Sequence, residues 1–239
     1  MTQQNSVACR RGFYITVEGP DGAGKTTALR VLREALEADG RLVVTSREPG
    51  GSPGAEKIRA LMLTGEADAF RGKTEALMMC AARHEATEAT YRPALARGAV
   101  LLVDRGIDTT VAYQGYGRGL DPAEIEKLSL FATDGLKPDL TLMIDVPVEI
   151  GLGRSLKRNA GEGSAETRFE SLELAFHQRL REGFLARAVA EPNRIAVFDG
   201  TQEMAALHAA LIDYVRSAIQ ARGLADPERL ATARTEEAA

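Results

Sequence analysis

The stretch VEGPDGAGKTT, Val17 to Thr27, places residues in the order Gly19-x-x-x-x-Gly24-Lys25-Thr26. Residue types in this order form a cradle for a chain of phosphates. Glycines let successive backbone N–H groups turn in on phosphate oxygens, and the positive end of a following helix strengthens the field there. Gly19, Gly22, Ala23, Gly24, Lys25, Thr26 and Thr27 are therefore the candidate contacts to a nucleoside triphosphate such as ATP. Lys25 would reach the β- and γ-phosphates, and the Thr26 hydroxyl would face Mg²⁺. A second pair, Asp104-Arg105, closes the apolar run Ala99–Val103. A carboxylate there can hold the metal directly or through a metal-bound water, and the arginine can clamp a phosphate with two parallel hydrogen bonds. Such a set serves motors, switches and phosphotransferases alike. The guanine-specifying Asn-Lys-x-Asp element of switch GTPases is absent from the sequence.

These residues need a scaffold that sets them just beyond strand ends. Phe13–Val17, Leu42–Thr45, Ala99–Val103, Leu140–Ile144 and Ile195–Phe198 are short, continuous apolar runs, the pattern of parallel strands buried on both faces. Helical patterns alternate with them over Lys25–Ala38, Pro53–Met62, Lys73–Arg97, Pro122–Thr133, Pro147–Arg158, Ala165–Val189 and Glu203–Ala221. The alternation predicts an α/β fold, a five-stranded parallel sheet between two layers of helices, with its ligands beyond the carboxyl ends of the strands. The polar, Gly-rich stretch Asn159–Ser164 reads as a mobile loop or lid. Residues 223–239 carry little apolar content and read as a frayed tail.

Composition narrows the partners. Against 30 basic residues stand 34 acidic ones, a net charge of −4, so no global field draws nucleic acid or an anionic membrane. Cys9 and Cys80 have neither metal-ligand nor redox spacing and read as reduced thiols. No apolar run reaches the ~18 residues of a membrane span, and the first residues lack a signal peptide's apolar block, so the expected location is the cytoplasm. His84, His177 and His208 have no partner pattern and read as ordinary helix residues.

Four further segments, REPGGSPGAEKIR (Arg47–Arg59), DRGIDTTVAYQGYGRG (Asp104–Gly119), KPDLTLMIDVPVEIGLGR (Lys137–Arg154) and RFE (Arg168–Glu170), resemble in that order the signature segments of bacterial thymidylate kinases. The resemblance runs from about Phe13 to Arg222 and implies one phosphate-loop nucleoside monophosphate kinase domain over residues 1–222, with a lid at about 151–168. It further implies transfer of the ATP γ-phosphoryl group to dTMP, Mg²⁺ as cofactor, and a homodimer. Arg47 and Arg105 match the pair that grips the acceptor phosphate, and Asp21 an acid near the acceptor's sugar and phosphate. Asp104 matches the carboxylate associated with Mg²⁺, Arg83 the arginine that reads the thymine edge, and Tyr113 the ring beneath the deoxyribose, with Gln114 beside it.

Family members that carry an arginine inside the phosphate loop have it where Gly22 stands here. The positive charge must then come from Arg154, Lys157, Arg158 or Arg168, as in the bacterial type with lid arginines. Arg154 and Arg158, four apart, share a helix face and are the leading pair. Met79 stands where a phenylalanine normally stacks on thymine, Ala82 where a polar residue precedes the arginine, and Gly106 where an aromatic follows Asp-Arg. Gly106 is expected to leave space or backbone freedom beside the acceptor. Two alternatives follow: a kinase for another or modified deoxypyrimidine monophosphate, and a non-catalytic nucleotide-binding paralogue.

Overall fold

The computed structural model describes residues 12–66, 68–162, 169 and 172–224, with side chains throughout these except at 158–162. Five strands, β1 (Phe13–Glu18), β2 (Val43–Arg47), β3 (Val100–Asp104), β4 (Leu140–Asp145) and β5 (Ile195–Asp199), form one parallel sheet in the order β2-β3-β1-β4-β5. Every expected strand is present, and β2 runs two residues beyond its expected end, which carries Arg47 to the strand terminus. The register sets Val17 and Arg47 on either side of Asp104, so three candidate segments end at one level.

Side chains of β1 alternate between two cores. Phe13, Ile15 and Val17 pack with Leu32 and Leu36 of α1 (Lys25–Ala38) and with Leu207, Leu211 and Val215 of α9 (Met204–Ala221). Tyr14, Thr16 and Glu18 face the other way and are equally buried. That second face is covered by α2 (Pro53–Leu63), α3 (Gly72–Ala86), α4 (Arg92–Ala96), α5 (Ile107–Thr110) with the π-helical segment Val111–Gly117 that continues it, and α8 (Leu174–Ala190). The remaining helices are α6 (Pro122–Ala132) and α7 (Val148–Glu162). No helix among the described residues is long and apolar enough to cross a membrane.

Three expectations about the helices need correction, and one helical segment was not expected. The single helix expected over Lys73–Arg97 is α3, a π-helical turn at Thr87–Tyr91, and α4. Pro93 has no N–H to give to the preceding turn, so the ladder widens just before it. Ile107–Gly117 is helical although no amphipathic stripe marks it, because ten consecutive residues, Gly106–Gly115, are buried. Helix α7 continues to Glu162, through the first residues of the stretch expected to be a loop. Helix α8 begins at Leu174 rather than Ala165, after extended Glu173. Residues 163–168, Cys9 and the tail from 225 onward lie outside the described residues.

Candidate active site

Helix α1 starts directly from the phosphate loop, with Gly24 as its N-cap at φ 93° and no side chain capping the first turn. Its leading N–H groups are therefore available to an anion. Position 22 explains the missing loop arginine: Gly22 has φ 73°, and a Cβ there would lie 2.0 Å from the Gly151 carbonyl oxygen of α7. Any side chain would be strained and would collide with backbone. Lys25 is buried, and its Nζ donates to the carbonyls of Gly19 (3.0 Å) and Pro20 (2.8 Å). Burial and the nearby Arg105 lower its pKa to about 8, against the pull of Asp21 and Asp104.

Beyond the loop, Thr26 Oγ1 donates to Asp104 Oδ2 at 3.1 Å. The other oxygen, Asp104 Oδ1, is buried with no hydrogen-bond partner among the described residues. An anionic oxygen left unpaired beside a hydroxyl suits a hard divalent cation completed by water and phosphate oxygens. The residues present thus fit Mg²⁺.

Arg105 takes φ 68°, a left-handed backbone unusual for a non-glycine residue, pinned by its N–H to Val17 O at 3.0 Å. Its guanidinium is held by Asp21 in an ion pair and by the carbonyl of Gly19 (3.3 Å) and the hydroxyl of Thr109 (3.4 Å). Tyr113, on the π-helical segment, donates to the other Asp21 oxygen at 2.7 Å, and the Arg105 guanidinium sits 5.4 Å from its ring centroid. Burial raises the Asp21 carboxyl, but Arg105 and Lys25, aided by Tyr113 and His177, outweigh it and bring its pKa to about 2. Lys25, Asp21, Arg105, Tyr113, Thr26 and Asp104 thus form one electrostatic cluster.

A second group lies between α3 and the last turns of α6. Arg83 is buried, and its Nε donates to Glu48 (2.7 Å), Nη1 to Ser129 (3.0 Å) and Nη2 to Thr110 (2.6 Å). Glu48 is also bonded to Tyr91 at 3.1 Å. Met79, one turn before Arg83, is buried, and Gln114 donates to buried Glu75 at 3.2 Å. Arg47 turns both Nε and Nη2 onto Glu56 of α2, at 3.2 and 2.9 Å. Arg154 is exposed and donates to the Gly200 carbonyl at 3.1 Å, Lys157 is exposed, and the side chains of Arg158 and Arg168 lie outside the described residues. Gly106 does not open space beside the acceptor site: a Cβ there would meet Thr16 Cγ2 at 2.9 Å, so the glycine permits close packing on β1.

Sequence reasoning missed Glu18, Thr109, Glu48, Thr110 and Ser129. One signal for Glu18 was available: Thr16 and Glu18 alternate with apolar residues in a strand that is otherwise wholly apolar. Polar residues buried in such a strand must find partners.

Comparison with known proteins gives one consistent result. The family model described as thymidylate kinase matches residues 17–211. A thymidylate kinase of Citrifermentans bemidjiense is 46% identical over 215 residues, 90% of this chain and 96% of that protein. One of Cereibacter sphaeroides is 49% identical over 195 residues, 81% of this chain and 90% of that protein. The crystal structure of thymidylate kinase from Ehrlichia chaffeensis superposes with a TM-score of 0.67 at 30% identity, covering 85% of this chain and 98% of that one.

Proposed function

The chain belongs to the thymidylate kinase family, and we propose that it transfers the γ-phosphoryl group of ATP to dTMP, giving dTDP, by means of the cluster built around Arg105. The observation that carries the assignment of residues is the bonded series Tyr113–Asp21–Arg105, standing one residue from Asp104 at the mouth of the phosphate loop.

A nucleoside monophosphate has a second pKa of about 6 and is already largely dianionic near neutral pH, so the acceptor needs no strong base. What it needs is alignment and neutralisation. Lys25, now resting on two loop carbonyls, exchanges them for phosphate oxygens when ATP enters. Arg105 and Arg47 hold the acceptor phosphate, Tyr113 supports the deoxyribose, and Arg83, Met79 and Gln114 line the base pocket. Thr26 and Asp104 hold Mg²⁺, which offsets the charge on the β- and γ-phosphates when bound. With position 22 closed to a side chain, the remaining positive charge comes from the lid, with Arg154 and Arg158 as its first candidates. Exposed Leu61 (61%), Leu77 (58%) and Phe131 (82%), on three helices with α3 between α2 and α6, support a homodimer.

Asp104→Asn, assayed over a range of Mg²⁺ concentrations, tests the metal assignment. The variant should need about tenfold or more Mg²⁺ for half-maximal rate. An unchanged Mg²⁺ requirement would remove Asp104 from the metal site.

A further inference from the structure

Glu18 ends β1 on the face opposite Val17, fully buried. Its carboxylate accepts from Thr109 twice, from the backbone N–H at 3.2 Å and from the hydroxyl. A threonine hydroxyl has one proton and two acceptor lone pairs. With the proton committed to Glu18, only lone pairs remain to face other neighbours. The neighbour on that side is Arg105, whose Nη1 donates to Thr109 Oγ1 at 3.4 Å while Nη2 reaches Asp21.

We propose that Thr109 and Glu18 are positioning residues for Arg105: the buried carboxylate orients the Thr109 hydroxyl as an acceptor, and that acceptor holds the guanidinium where it meets the acceptor phosphate. The proposal rests on the reading of Arg105 as a phosphate-gripping residue. Arg105 enters the site from a left-handed backbone pinned to β1, so its stem is fixed. The head is then set by three oxygen partners, Asp21, Gly19 O and Thr109 Oγ1. Asp21 lies to one side of the guanidinium and takes Nη2. Nη1 is shared between a carbonyl and the hydroxyl, and only the hydroxyl can be turned the wrong way. Without the Glu18 carboxylate it can rotate its proton toward the cation, replacing attraction with repulsion. Both hydrogen bonds of Glu18 go to Thr109, so its hold on the orientation of the Arg105 head runs through that residue.

The test compares affinity for dTMP with affinity for thymidine, which lacks the phosphate, in wild type, Thr109→Val, Thr109→Ser, Glu18→Gln and Arg105→Lys, alongside kcat and KM. Thr109→Val keeps the backbone N–H bond to Glu18 and removes only the hydroxyl. It should weaken dTMP binding about tenfold, the scale of one hydrogen bond to a charged group, and leave thymidine binding within about twofold. Thr109→Ser should restore the wild-type ratio. If Thr109→Val melts below the assay temperature, Glu18→Gln carries the test, with a smaller loss confined to dTMP. Equal loss for both ligands, or no loss, would overturn the positioning role. Arg105→Lys separates the two levels: if it leaves the dTMP-to-thymidine ratio unchanged, the reading of Arg105 itself is wrong. If it shifts the ratio and the Thr109 and Glu18 variants do not, only the present inference falls.

Discussion

At the scale of single residues, Glu18 sets function against stability. Burial and the neighbouring Asp108 raise its carboxyl from 4.5 to about 7, although the Thr109 bonds and Arg105 pull the other way. A carboxyl whose pKa rises on folding binds its proton more tightly in the native state. Its contribution to stability is therefore complete below about pH 4.5 and is lost as pH climbs through about 7. Glu18→Gln is neutral throughout, so it should gain stability over wild type between pH 5 and pH 8, by on the order of 2 kcal/mol. Thermal melts of both proteins across that range decide it: curves that stay parallel would show that Glu18 titrates normally. The expected cost is in dTMP affinity above about pH 7, where the carboxyl is ionised and can accept the Thr109 proton. Asp108, on the same face, stays ionised because Arg187 and Arg194 bond its two oxygens. No sequence pattern showed this arrangement, since Glu18 and Thr109 are 91 positions apart and meet only through the fold.

Among the elements, α2, α3 and α6 present Leu61, Leu77 and Phe131 outward, whereas their inward faces already bury Ala55, Ala76 and Ile125. A helix apolar on both sides calls for a second partner. Leu77→Asp should shift the protein at micromolar concentration from a dimeric to a monomeric sedimentation mass, because it would bury a charge in the interface. A wild type that already sediments as a monomer would contradict the dimer. Strand positions were legible because parallel strands read as plain apolar runs. Helices were legible where one face met solvent, as in α1, whose buried Ala28, Leu32 and Leu36 recur every four residues. Legibility failed where that contrast was missing. Ile107–Gly117 is buried along nearly its whole length, so it showed no stripe, yet its wide π-helical turn aims Tyr113 at Asp21. The break before α4 was signalled by Pro93 but hidden within a long helical pattern.

For the whole molecule, the sheet order puts β1 between β3 and β4 and so brings the phosphate loop, Asp104-Arg105 and the start of α7 to one edge. The loop and α7 are in direct contact there, Gly22 against Gly151. The chemistry of this edge was readable as motifs, since the phosphate loop and Asp-Arg are local in sequence. The hydrogen-bonded group around Arg83, the proposed base pocket, was not, because Arg83, Glu48, Thr110 and Ser129 come from four separate segments. Met79, buried one turn before Arg83, belongs to the proposed base pocket. The most direct measurement is ADP release with Mg²⁺ and ATP against a panel of acceptors: dTMP, dUMP, 5-substituted dUMPs, dCMP, UMP and dGMP. The account predicts that dTMP has the highest kcat/KM. A higher value for any other acceptor, or ATP binding with no turnover on any of them, would contradict it.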